Sequence, residues 1–227
     1  MPDAVRVMLE IGKKKRAVAV AFDWPGWDRS GKTEAAALEV LETYRPRYAK
    51  VAGRAGFGKD FAAAGPLDVV ERQPGIGMTD FYGVSMTSAS SEHERMSDAE
   101  CERKLALLRA AWATLDETAA RVSAELRKGP RGGGRERDQI VRHVNGAEIF
   151  EFAPKVAVRF PLETREDPNQ LRTYREAFVA AIRDYNARGE TARNWTVAFV
   201  IRHAAYHMLD HAWELEDRDL SGEPPVS

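Results

Sequence analysis

Hydrophobic positions recur along this chain with two different periods. In "AVRVMLEIG", Val5, Val7, Leu9 and Ile11 alternate with smaller or polar residues, and in "AVAVAFDW", Val18, Val20, Phe22 and Trp24 do the same. A period of two belongs to a strand with one covered face, and the "GKKK" turn at residues 12–15 joins the pair into a hairpin. "DWPG" at 23–26 and "RSGK" at 29–32 read as turns. Thr33 then stands at a helix N-cap position, ahead of an apolar face of Ala37, Leu38, Leu41, Tyr44 and Tyr48 that Pro46 kinks or interrupts. "LDVVERQ" reads as one more strand, giving a small α+β unit over residues 1–72.

Residues 74–96 show no period. A stretch of that length either covers a site or connects domains; a linker over residues 73–96 is the expectation, with His93 a solvated surface residue. From Ser97 the period becomes helical. "SDAE" is a capping box, followed by the stripe Leu105, Leu108, Trp112, Leu115, Ala119, Val122 and Leu126 up to the break at "KGPRGGGR". A second helix from about Asp138 puts Ile140, His143, Val144, Ala147 and Phe150 on one face. A third carries Leu171, Tyr174, Phe178, Ile182 and Tyr185 and stops at Gly189, and a fourth spans Trp195 to Arg218. The fold class predicted is α+β: a hairpin-and-helix unit, then a four-helix bundle over residues 97–220 that folds on its own, then a tail at 221–227.

Composition adds exclusions. A net charge of −1 over 227 residues gives no global pull toward nucleic acid or anionic lipid. A lone cysteine, Cys101, rules out an internal disulfide framework and fits a reducing compartment. Early charges leave no room for a signal peptide, and no run approaches the ~20 apolar residues of a membrane span, so a cytoplasmic protein is expected. The basic, glycine-rich "RKGPRGGGRER" lacks the Lys-Ser/Thr ending of a phosphate-binding loop and reads as a helix connection.

The chemistry concentrates in "FVIRHAAYHMLDHAWELEDR", which holds three of five histidines. On a helix turning about 100° per residue, His203, His207, His211 and Glu214 fall within a sector of about 80°. That seam lies between an aliphatic flank (Val197, Ala204, Met208, Leu215) and an aromatic one (Trp195, Phe199, Tyr206, Trp213), so it points into the bundle, where bare polar groups are costly. A divalent ion satisfies several imidazoles at once. His143 is the histidine on a core face elsewhere, and three histidine ligands leave an open position of the catalytic kind. His203–His207 and His207–His211 both have the i, i+4 spacing.

"DQIVRHVNGAE" followed by "HMLDHAWELE" resembles the DinB-like superfamily of four-helix bundles, which includes the YfiT-like proteins, bacillithiol and mycothiol S-transferases and mycothiol-dependent maleylpyruvate isomerase. The resemblance covers residues 97–220 and implies a metal held by His143, His207 and His211, with Glu214 at the polar position that follows the last ligand. His203 then lines the pocket or the bundle end. More faintly, "DWPGWDRSGKTEAAAL" resembles the turn and helix start of HicB-like domains, through Pro25, Gly26, Gly31, Thr33, Ala37 and Leu38, though Ala35 and Ala36 replace the usual acidic pair. That implies a partner-binding or dimerising role for the N-terminal unit.

Two functions follow. One is a metal-dependent enzyme that transfers a small-molecule thiol or hydrolyses a substrate, with Glu214 or Asp210 holding a ligand histidine in its tautomer. Its ion would be zinc first, with nickel, iron or manganese as other candidates. The alternative is a non-catalytic, metal-stabilised protein whose HicB-like unit binds a partner. The expected partner is a small molecule, such as a low-molecular-weight thiol; neither nucleic acid nor membrane is expected, and a homodimer stays open.

Overall fold

The computed structural model describes residues 3–14, 16–129 and 133–222. Strands β1 (Val5–Ile11), β2 (Ala17–Val20), β3 (Asp28–Gly31) and β4 (Leu67–Pro74) form one sheet in the order β3-β2-β1-β4. Helices α1 (Glu34–Thr43), α2 (Arg45–Arg54) and α3 (Gly58–Ala62) connect β3 to β4. The short α4 (Gly77–Tyr82) follows, then the long α5 (Asp98–Arg121), α6 (Arg137–Ala147), α7 (Pro168–Arg188) and α8 (Val197–Asp217). The protein is therefore α+β, and no described helix is long and apolar enough to cross a membrane.

The hairpin forms as its alternation predicts: β1 and β2 are antiparallel, and the Gly12 amide donates to the Arg16 carbonyl at 2.8 Å. Lys15 of the expected turn lies outside the described residues. β4 returns parallel to β1. "RSGK" is not a turn, because Asp28–Gly31 pairs with β2 as an added strand; the pairing, not any apolar pattern of its own, makes it extended. Val5, Val7 and Leu9 enter the main core, as Ala17 and Ala19 do, while Met8, Val18, Val20 and Phe22 form a second cluster capped by Ala89. Trp24 leaves the face of Val18 and Val20 for the main core. The chain reverses there, with Trp24 N–H donating to Ala21 O at 2.7 Å and Ala21 N–H to Trp27 O at 3.1 Å. Gly26 takes φ 92 in that turn, and a Cβ on it would meet Leu209 Cδ1 at 2.7 Å, so the turn sits directly on α8.

Thr33 caps α1 through Ala36 N–H at 3.2 Å, and Pro46 opens α2 instead of kinking one long helix. Ser97 caps α5 through Glu100 N–H at 3.2 Å, and Leu105, Leu108, Trp112 and Leu115 are buried along it. The helix ends at Arg121, so Val122 and Leu126 are buried beyond it, Leu126 bridging Asp219. α7 runs from the Asp167 cap to Gly189, which adopts φ 66. α5 packs on α6, α7 and α8, and also on α2 of the N-terminal unit. One core cluster consequently runs from Val5 to Leu215. Residues 130–132 of the glycine-rich break and 223–227 of the tail lie outside the described residues.

The stretch expected to be a linker is built into this body. Glu10, fully buried on β1, accepts from Thr79 Oγ1, Ser85 Oγ (2.8 Å), Met86 N–H (2.9 Å) and Thr87 N–H (3.0 Å). A single buried carboxylate thus replaces the periodic apolar contacts that would have made the segment legible. His93 is exposed, as expected, whereas its neighbour Glu92 is buried.

Candidate metal centre

His143 comes from α6, and His207 and His211 from successive turns of α8. Their ring centroids lie 5.2, 5.2 and 4.9 Å apart, with interplanar angles of 78°, 89° and 83°. One nitrogen from each ring falls within 4.8 Å of the others. These are the three histidines that the resemblance implies, whereas helical spacing alone leaves His203–His207 and His207–His211 both open. His203, one turn earlier, stays outside: its ring packs among Phe152, Trp195 and Phe199.

A carboxylate only accepts, so the 2.7 Å contact from His211 Nδ1 to Glu214 Oε2 puts a proton on Nδ1 and makes Nε2 the nitrogen free to act as a ligand in the neutral ring. Glu214 is held in turn by Arg218 Nη1 at 2.6 Å. The hydrogen bond from His211, with Arg218 adding, keeps the Glu214 carboxyl below its ordinary range. Asp210 does not share this duty. It accepts from Arg29 Nη1 at 3.1 Å, and the Arg29 guanidinium is stacked over Tyr44 and Trp213. Trp213 thereby faces the N-terminal unit, not the histidines.

Burial holds the other ligand candidates neutral. It drives His207 well below the ordinary imidazole value, with neighbouring His211 and His203 adding to the effect, and it lowers His143 more gently. His203 is pushed down to about 3 by burial and by Arg202. His207 Nδ1 is buried without a hydrogen-bond partner. One nitrogen from each of three closely set imidazoles, with an unpartnered buried polar atom on one of the rings, is a donor set that fits a divalent ion.

The cluster opens on a cavity of about 500 Å³. Met78, Tyr82, Val84 and Met86 wall one side, so the segment held by Glu10 covers the histidines. Phe152 and Trp195 wall another side, and Tyr206 and Asp210 also reach the cavity. Phe152 arrives there because α6 runs into a π-turn at Glu148–Phe152. The wider turn advances the register, burying Ile149 and Phe152 and turning Phe150, expected on the core face, out to 74% exposure.

Sequence reading also missed Arg202, which is fully buried. It donates to Glu92 Oε1 and Oε2 at 2.8 and 3.0 Å, to Asp28 Oδ2 at 3.1 Å and to the Thr87 carbonyl at 2.9 Å. It ties α8, the sheet and the covering segment together one residue from His203. Its place among apolar neighbours in "FVIRHAAY" was the available signal. Cys101 is buried, and burial pushes its thiol up to about 11, which makes it inert. Comparison of the chain with models of known families, with curated proteins and with solved structures found no match.

Proposed function

We propose that this protein is a DinB-like metalloenzyme in which His143, His207 and His211 hold one divalent ion, and that it transfers a small-molecule thiol, with hydrolysis the related reaction. The observation that carries the reading is the convergence of three imidazoles from two helices, one oriented by Glu214, in the lining of one cavity. The DinB-like part rests on the order of the ligands: one on the second long helix and an i, i+4 pair on the fourth. When bound, such an ion acts as a Lewis acid that lowers the pKa of a thiol or water at its open position. An all-nitrogen set suits zinc first, and nickel, iron or manganese after it.

The chain's own groups divide the work. Burial keeps His143 and His207 unprotonated, so neither has to lose a proton to act as a ligand. Glu214 fixes the His211 tautomer, and Arg218 fixes Glu214. Asp210, kept in place by Arg29, is a cavity carboxylate able to take the proton a thiol gives up. The methionine and aromatic walls limit water around the reacting atoms.

Protein purified without a metal-affinity column should carry close to one divalent ion per chain. His143→Ala and His207→Ala should each remove most of it, and His203→Ala should not. Full metal retention in both of the first two variants sinks the assignment. Conjugation of a small thiol to an electrophile should require the ion and His211. An ion needed for folding, with no turnover of any thiol or ester tested, would leave a metal-stabilised binding protein.

A further inference from the structure

The charges around the cavity point to its ligand. Asp210 is paired with Arg29 at 3.1 Å, and Glu214 with Arg218 at 2.6 Å. Each carboxylate close to the histidines therefore already has an arginine, and three neutral imidazoles offset none of a divalent ion's charge. Glu151 stands exposed at the rim. Arg135 also lines the cavity, and none of the described carboxylates forms an ion pair with it. It is near enough for its charge to disfavour protonation of His143 and His207.

Arg135 is held in place through its main chain. Arg218 Nη2 donates to the Arg135 carbonyl at 2.9 Å, and Arg218 Nε to the Arg127 carbonyl at 2.9 Å. Gly134 has φ 133, and a Cβ there would meet Arg218 Nη2 at 2.5 Å. The same Arg218 that orients Glu214 behind His211 thus fixes the backbone that presents Arg135. Met78, Met86, Phe152 and Trp195 give the cavity apolar walls, and Lys155, whose Nζ lies 4.5 Å over the Trp195 ring, is not among the lining residues and donates to Asn194 Oδ1 at 2.9 Å.

We propose that the cavity selects small organic anions, with Arg135 recognising the negative group while the apolar walls take the carbon skeleton. The inference rests on the metal reading above and names its substrate class: a thiol that also carries a carboxylate or a comparable oxyanion. Arg135 acts here as a specificity residue and takes no part in bond making.

The test uses the full chain loaded with zinc and calorimetric titration of mercaptocarboxylates two to six carbons long, with 2-mercaptoethanol as the neutral reference. The best-fitting acid should bind on the order of tenfold tighter than the neutral thiol, as one partly exposed charge-assisted contact allows. Arg135→Gln should erase that preference while metal content and affinity for 2-mercaptoethanol stay unchanged. Equal affinities in the parent protein, or a preference that survives in Arg135→Gln, overturns the proposal. Metal content of the same samples reports separately on the metal reading. Should no ion bind, 3-phenylpropionate against its amide asks the same question of the metal-free cavity: a preference for the acid that Arg135→Gln removes supports the proposal, and no preference overturns it.

Discussion

Glu148 is sealed at 0% exposure, with Trp112 Nε1 donating to one carboxyl oxygen at 2.7 Å and no partner on the other. Burial raises its pKa from 4.5 to about 7, with Arg175 working against the rise. A raised carboxyl contributes stability that is fully present below pH 4.5 and is lost as pH climbs through about 7. His203 has the opposite sign. Pushed from 6.5 to about 3, it leaves stability intact above pH 6.5 and withdraws it as pH falls toward 3. Glu148→Gln should therefore be nearly silent at pH 4.5 and raise stability by about 1–2 kcal/mol at pH 8, read from denaturant midpoints. Equal shifts at both pH values would show that Glu148 does not titrate in this range. Glu214→Gln tests the orienting contact: metal affinity should fall roughly 10- to 100-fold, and an unchanged affinity would strip Glu214 of that role.

Elements whose own side chains repeat were legible; elements made by a neighbour were not. α5, α7 and α8 announce themselves through apolar stripes, and the i, i+4 histidines on α8 follow from helical spacing alone. β3 carries Asp28, Arg29, Ser30 and Gly31 and is extended because β2 pairs with it. The π-turn leaves no trace in residue type, so Phe150, which periodicity assigns to the core face, is exposed while Phe152 is buried. The segment over the histidines is shaped by Glu10 and Arg202, two charges that a sequence alone places at the surface. Glu10→Ala should loosen that cover, speeding amide exchange at Met86 and Thr87 by at least on the order of tenfold while α7 amides are unaffected. Unchanged exchange at both positions would mean that other contacts hold the segment.

Across the whole molecule, the two units expected from the sequence share a core. Asp28 on the sheet meets Arg202 on α8, Arg103 Nη1 donates to the Asp23 carbonyl at 2.7 Å, and the Gly26 turn rests on Ala205 and Leu209. A fragment of residues 97–220 would leave Arg202 without both of its carboxylate partners, Asp28 and Glu92, and expose the apolar face of α8. It should aggregate or lack a cooperative melt where the full chain gives a single transition. A soluble fragment with that cooperative melt would show that the helices suffice alone. The cover over the histidines brings one more consequence. Met78, Tyr82, Val84 and Met86 hang from the sheet, whereas the three clustered histidines belong to helices encoded far downstream. Substitutions in the early stretch can therefore change what the cavity admits while the late stretch keeps its histidine cluster, so the shape of the cavity and the make-up of the cluster are free to vary separately.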